Sequence, residues 1–189
     1  MQISDGNRLE RLEAISNIQE VLYRIARCID RRDWAGLQKL ADEDCVFDYG
    51  VYRGGFSGFA EWLLVRHKEI TRSSHLIGNI IVEFASSDVA LVESYITSSQ
   101  RSADPDNTDA LFDLITYARY IDRFERQNGC WRIKKRTLLI DNTRRYAVSE
   151  APVVGPGLRM GRRDMDDVLW KERAAVGIRE QGCGEAHKT

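Results

Sequence analysis

Residues 8–32 read RLERLEAISNIQEVLYRIARCIDRR. Apolar side chains fall at Leu9, Leu12, Ile15, Ile18, Val21, Leu22, Ile25, Ala26 and Ile29, nearly all at steps of three or four that put them on one face of a helix. The spacing predicts a long amphipathic helix whose stripe something else must cover. The cover is written further on. SSHLIGNIIVEF (residues 73–84), VALVESYITSS (89–99), LFDLITYARYIDRFE (111–125) and CWRIKKRTLLID (130–141) are rich in β-branched and aromatic residues and are separated by the turn-like SSD, SADPDNTD and QNG. Helices first and meandering strands after is the α+β order. The expected fold class is therefore α+β, with a curved antiparallel sheet wrapped on the long N-terminal helix, an arrangement able to enclose a cavity.

Between helix and meander the chain offers smaller signals. Asp33 can N-cap a second short helix running from Trp34 to about Ala41. Cys45 to Tyr49 reads as a short strand, and the glycines of YGVYRGG (residues 49–55) allow a turn before a third helix capped by Ser57 and containing Trp62, Leu63 and Ile70. After the last strand, APVVGPGLRMG (151–161) holds two of the chain's three prolines and reads as an irregular arm, with a short helix from Asp164 to about Val176. Two regions are expected: the α+β domain over residues 1–145 and an arm over 146–189 that can cover the pocket or reach a neighbouring subunit.

Composition excludes several classes. The 189 residues suffice for one core without staples. Lys and Arg total 28 against 29 for Asp and Glu, so no general field draws in nucleic acid. The start MQISDGNRLE has neither a basic opening nor an apolar stretch of the kind a signal sequence carries, and no run of about 18 apolar residues occurs; the expectation is a cytoplasmic protein with no membrane partner. Cys28, Cys45, Cys130 and Cys183 lack C-x-x-C spacing, which predicts free thiols and no zinc site. Phosphate-binding, zinc-protease and serine-hydrolase motifs are all missing.

Of three histidines, His75 lies within an apolar strand, His67 on a charged helical stretch and His187 in the tail, so His75 is the first candidate for a base. Asp30 follows Ile29 on the apolar side of the long helix, where a buried carboxylate would need a partner. Plainer readings stand beside these: a core histidine held by a hydrogen bond, and a helix-end charge answered by Arg31 or Arg32.

IQEVLYRIARCIDRRDW (18–34), SHLIGNIIVEF (74–84) and YIDRFERQNGCWRIKKR (120–136) together resemble the SnoaL-like branch of the nuclear transport factor 2-like superfamily, over residues 15–141, about two thirds of the chain. Within it the sequence is similar to the hexachlorocyclohexane dehydrochlorinase, bile acid dehydratase and scytalone dehydratase type of lyase. That resemblance implies a cone-shaped α+β barrel around a hydrophobic pocket, no metal and no cofactor, and a catalytic dyad on Asp30 and His75. The chemistry has a physical reason: a neutral imidazole takes a proton while a carboxylate on its other nitrogen fixes the tautomer and stabilises the cation formed. The tyrosine that bile acid dehydratases carry five positions before the Asp falls here on Ile25, and Tyr23 does not replace it at the same angle.

Substrate contacts are expected from Tyr23, Tyr49, Trp62, Tyr95, Arg119, Tyr120 and Asp141, although strand alternation alone does not decide which of the strand residues face inward. The implied function is a lyase that eliminates water, halide or formaldehyde from an aromatic or polycyclic compound. A ketosteroid-isomerase-like enzyme needs the same base. A non-catalytic ligand-binding or assembly module, such as the small subunit of a ring-hydroxylating dioxygenase, is the reading from another class. The partners expected are a hydrophobic small molecule and further copies of the chain, as a dimer or trimer.

Overall fold

The computed structural model describes residues 5–148 except 106, residue 155 and residues 157–178. Helix α1 (Asp5–Arg31) follows the apolar stripe: Ala14, Ile18, Leu22, Ile25 and Ile29 are buried. Each large aliphatic among them contributes about 1.5–3 kcal/mol by burial, against a few tenths for intrinsic helix propensity. Packing therefore decides that this segment is helical. Leu9 and Leu12 lie ahead of the covered stretch and are exposed.

Arg32 ends α1 in the left-handed region at φ 55°, and the Asp33 N–H closes back on the Cys28 carbonyl at 2.8 Å, the usual six-to-one closure of a helix end. A glycine would adopt this conformation more cheaply. Arg32 is held there because its guanidinium donates to the carbonyls of His67 at 2.6 Å and Ile70 at 2.8 Å. The next residue, Asp33, caps α2 (Trp34–Gln38) by accepting from the Gly36 N–H at 2.9 Å. A Cβ at position 36 would stand 2.4 Å from an Asp33 oxygen, so the cap and the glycine go together.

Strand β1 (Ala41–Asp48) is longer than expected and is followed by a short β2 (Arg53–Gly55). Helix α3 (Phe56–Arg66) starts from Gly55 with no side-chain cap, so Ser57 lies inside it and Ile70 beyond its end. Its Phe56, Phe59 and Leu63 are buried, with Phe59 stacked on Phe47 of β1 at 4.0 Å between ring centres.

The meander follows as β3 (Arg72–Phe84), β4 (Val89–Asp104), β5 (Asn107–Gln127) and β6 (Cys130–Val148). The sheet order is β2-β1-β6-β5-β4-β3. β3 to β6 are antiparallel as expected, but β1 joins β6 in parallel, which makes the sheet mixed. β1 reaches the free edge of β6 running in the same direction, and a meander pattern carries no sign of that. The last strand also runs past the expected domain border at residue 145.

One sheet face closes over α1. Val92, Ser94, Ile96 and Ser98 of β4 and Ala118, Tyr120, Asp122 and Phe124 of β5 alternate inward and are buried. In β3 a bulge between Gly78 and Ile81 changes the parity, so Ser73, His75 and Ile77 point inward before it and Ile80, Val82 and Phe84 after it. The inward face also buries an ion pair: Arg136 of β6 donates to both carboxylate oxygens of Asp122 at 2.8 and 2.7 Å, with its guanidinium 3.9 Å from the Tyr120 ring centre.

Cys28 and Cys45 are buried free thiols. Cys130 is disulfide-bonded, which corrects the expectation of a free thiol there and which no spacing in the sequence announces. In the arm, α4 (Val168–Ala175) is capped by Asp167. Residues 149–154 and 156, and with them part of the proline-rich stretch, lie outside the described residues, as does His187. Among the described residues no helix is long and apolar enough to cross a membrane.

Candidate active site

Asp30 lies in the last turn of α1, on the side that meets β3. That strand is the edge of the sheet, so its outward backbone groups have no neighbouring strand. Asp30 supplies the missing acceptor: Oδ2 takes the His75 backbone N–H at 2.9 Å, and Oδ1 takes the Ser73 hydroxyl at 2.7 Å and His75 Nδ1 at 2.7 Å. Ser73 and His75 reach the same carboxylate because residues two apart share a strand face.

Burial alone would raise the Asp30 carboxyl. The hydrogen bond and charge of His75, with the Ser73 hydroxyl and the His75 N–H, outweigh it and hold the group below the usual carboxylate range. An ionised carboxylate only accepts, so Nδ1 carries a proton, and in the neutral imidazole Nε2 then holds the lone pair. Both side chains are largely enclosed, at 9% exposure for His75 and 11% for Asp30. The arrangement can accept a proton at Nε2 and stabilise the imidazolium through Nδ1.

A cavity of about 370 Å³ adjoins the dyad, walled by Tyr23, Ala26, Arg27 and Arg31 of α1 and by Leu76 and Ile77 of β3. That volume admits a small organic molecule. Its walls are less apolar than the expected pocket, since two arginines border it.

The residues expected to bind substrate divide into three groups. Tyr23 lines the cavity. Tyr49, Trp62 and Tyr120 cluster inside the cone, with Tyr49 5.8 Å from Trp62 and 6.2 Å from Tyr120 between ring centres. Burial raises both phenols, and the Tyr120 phenol also feels the Asp30 charge. The buried Tyr49 hydroxyl faces Tyr120 without the alignment of a hydrogen bond. Tyr95, Arg119 and Asp141 are corrected: they lie on the opposite sheet face. Arg119 neighbours the inward Tyr120 and so points outward, paired with Tyr95 across the β4–β5 ladder. There it binds Glu93 at 3.0 Å and Asp141 at 3.2 Å.

Three residues around the dyad, Ser73, His67 and Arg163, have no place in the site as read from the sequence. Ser73 was findable, being two residues before His75. His67 is not on a charged surface but caps α3, 2% exposed, with its ring against the Trp34 edge. Arg163 of the arm donates Nε to the Asp30 carbonyl at 2.9 Å and Nη2 to the Ile29 carbonyl at 3.2 Å, and it also reaches the Ile70 carbonyl. Its Nη2 lies 2.7 Å from His67 Nδ1, which must therefore be the acceptor, because a guanidinium only donates. Burial, followed by the charge of Arg163, pushes the His67 imidazole down to about 3. Arg163 itself is lowered by burial and by Arg32 to about 10 and stays charged at neutral pH. It thus satisfies carbonyls at the C-terminal end of α1, where a cation is favoured. Arg31 borders the same corner, 3.8 Å from Asp167. Among the described residues no three His, Cys, Asp or Glu side chains gather as a metal site would.

The long helix, the curved mixed sheet and the dyad between them define a class, and the chain's sequence agrees: residues 10–137 match the SnoaL-like domain. The protein belongs to that family, within the nuclear transport factor 2-like superfamily. No curated protein matches it in sequence. Among solved structures it is similar to a candidate scytalone dehydratase from Novosphingobium aromaticivorans, with a TM-score of 0.65 and 24% identity over 79% of this chain and 98% of that one. It is also similar to the hexachlorocyclohexane dehydrochlorinase LinA-type3 from Novosphingobium barchaimii, with a TM-score of 0.66 and 19% identity over 79% and 99%. A third likeness is to the beta subunit of a candidate aromatic-ring-hydroxylating dioxygenase from Novosphingobium aromaticivorans, with a TM-score of 0.57 and 22% identity over 70% and 92%. At these identities the likeness establishes the fold.

Proposed function

We propose that the protein is a cofactor-independent lyase in which His75 takes a proton from an aromatic or polycyclic small molecule and Asp30 orients and stabilises it. In the elimination, Nε2 removes a proton from carbon, that electron pair forms a double bond, and hydroxide or halide leaves the next carbon with the bonding pair, the hydroxide becoming water as it takes up a proton. For loss of formaldehyde the proton comes from a hydroxyl and a carbon–carbon bond breaks instead. Nε2 then returns the proton to the leaving group, the product or solvent.

The observation that carries this reading is the threefold anchoring of Asp30 on the His75 ring, the His75 backbone and Ser73, each within 2.9 Å. Such anchoring sets the tautomer before substrate arrives, so no reorganisation is needed during the reaction. The test is turnover of hydroxylated and halogenated ring compounds by the wild type, His75→Ala and Asp30→Asn. His75→Ala should abolish it, and Asp30→Asn should lower kcat by about a hundredfold or more. Wild-type rates in both variants would remove the dyad from the mechanism.

The likeness to a dioxygenase beta subunit favours a second reading, an assembly module without chemistry of its own. It predicts a larger partner that co-purifies and an association indifferent to both substitutions. A homo-oligomer, dimer or trimer, accompanies the lyase reading, with the row of Tyr95 and Leu139 beside Arg119 on the outer sheet face as the surface to bury; light scattering reads its size.

A further inference from the structure

Two arginines border the cavity beside the dyad against one carboxylate in its wall, Asp30, whose oxygens are already engaged. They are Arg27 and Arg31, one turn apart on α1. Arg27 is half-buried, its Nε is shielded from solvent without a hydrogen-bond partner, and no carboxylate among the described residues pairs with it. The Arg31 Nε is likewise buried without a hydrogen bond, and its nearest acid, Asp167, is 3.8 Å away. Asp167 is itself engaged by the N–H groups of Arg162 and Leu169.

The remaining acids of the corner are also committed. Both Asp30 oxygens are taken by Ser73 and His75, and Asp33 caps α2. Further cations, Arg32 and Arg163, lie behind the dyad and are occupied with backbone carbonyls. Arg163 donates through all three of its nitrogens and Arg32 through Nη2, although the Arg32 Nε also lacks a partner. What sets Arg27 and Arg31 apart is that they border open space a ligand can enter and, among the described residues, make no hydrogen bond to a carbonyl. An unsatisfied donor in a sheltered site is costly, and a guanidinium fork matches the two oxygens of a planar carboxylate.

We infer that this cavity takes a substrate bearing an anionic group, a carboxylate attached to the ring system, with the anion on Arg27 and Arg31 and the apolar remainder against Tyr23, Leu76 and Ile77. The orientation toward His75 rests on the lyase reading; the anion site rests on the arginines alone. An anion held there also places the molecule's reactive carbon beside Nε2 rather than at random in the cavity.

Benzoate and its neutral counterpart benzamide separate charge from shape. Titrated into the wild-type protein and followed by the imidazole resonances of His75, benzoate should saturate and should bind about tenfold tighter than benzamide. Its affinity should fall about tenfold in Arg27→Met, recover in part in Arg27→Lys, and weaken with added salt. Equal affinity for the two probes, undiminished benzoate binding in Arg27→Met, or no saturable benzoate binding at all would each overturn the inference. Far-UV circular dichroism checks that Arg27→Met is folded, and Arg27→Lys, which keeps the charge and the helix, stands as the control if it is not. Turnover plays no part in this measurement, so the failure of His75→Ala to lose activity would count against the lyase reading alone.

Discussion

Protonating His67 should cost the protein a measurable part of its stability in mildly acid solution. In the unfolded chain a histidine takes up its proton near pH 6.5; in the fold the His67 imidazole resists down to about 3. Between those values the unfolded state binds one more proton, so stability is fully present above about 6.5 and falls as the pH is lowered toward 3. The slope is about 1.4 kcal/mol per pH unit, which makes the loss about 2 kcal/mol at pH 5, a large share of the 5–15 kcal/mol typical of a domain. His67→Asn offers a clean comparison, because an amide oxygen can accept from Arg163 as Nδ1 does and has nothing to titrate. The variant loses the contact with Trp34 and starts lower, but its stability should not follow this part of the pH dependence. Urea unfolding of both proteins at pH 7.5 and pH 5.0 reads the difference. The wild type should lose about 2 kcal/mol more than the variant over that interval. Parallel losses would show that His67 takes its proton as readily folded as unfolded, and the buried neutral imidazole would have to be given up.

Arg163→Met should destabilise the fold by about 2–4 kcal/mol, since it strips acceptors at the end of α1 of a charged donor, and should let the His67 imidazole titrate nearer its ordinary range; urea unfolding and histidine proton resonances test the two parts. Asp122→Asn leaves the buried Arg136 without a counter-charge and should cost about 3–5 kcal/mol, whereas the double replacement Asp122→Leu with Arg136→Met should cost clearly less, as compared by urea midpoints. Gly36→Ala should push Asp33 off its cap and lower stability by about 1 kcal/mol, visible as a shift of a few degrees in thermal unfolding.

What the sequence makes legible follows from the range of the interactions involved. Helix α1 and the Asp33 cap depend on neighbours within a turn, so spacing and residue type suffice to find them. His75 stands out because a titratable ring in an apolar strand is rare. The faces of Tyr95, Arg119, Tyr120 and Asp141 were not legible, because parity in a long strand is decided by its register and by bulges such as the one between Gly78 and Ile81, which reverses it midway. Arg163 was beyond reach for another reason. It binds Asp30 and Ile29 across 133 and 134 residues of chain, and neither its spacing nor its surroundings in an irregular arm mark it as part of the helix end it completes.

The parallel pairing of β1 with β6 ties together stretches of chain 90 residues apart, as the Asp44 and Lys134 side chains across the seam record. During synthesis at about 5–20 residues per second, β1 would wait roughly 5–18 s for its partner. Through that interval the aromatic face of β1 and α3 has α1 for shelter but no finished sheet. The order of events is thereby constrained: the hairpins of β3 to β6 can form locally and early, while the seam that seals the cone waits for β6, and the Arg163 contacts at the end of α1, which close a longer loop still, follow it. A nascent chain of this kind offers a chaperone a defined and temporary client surface.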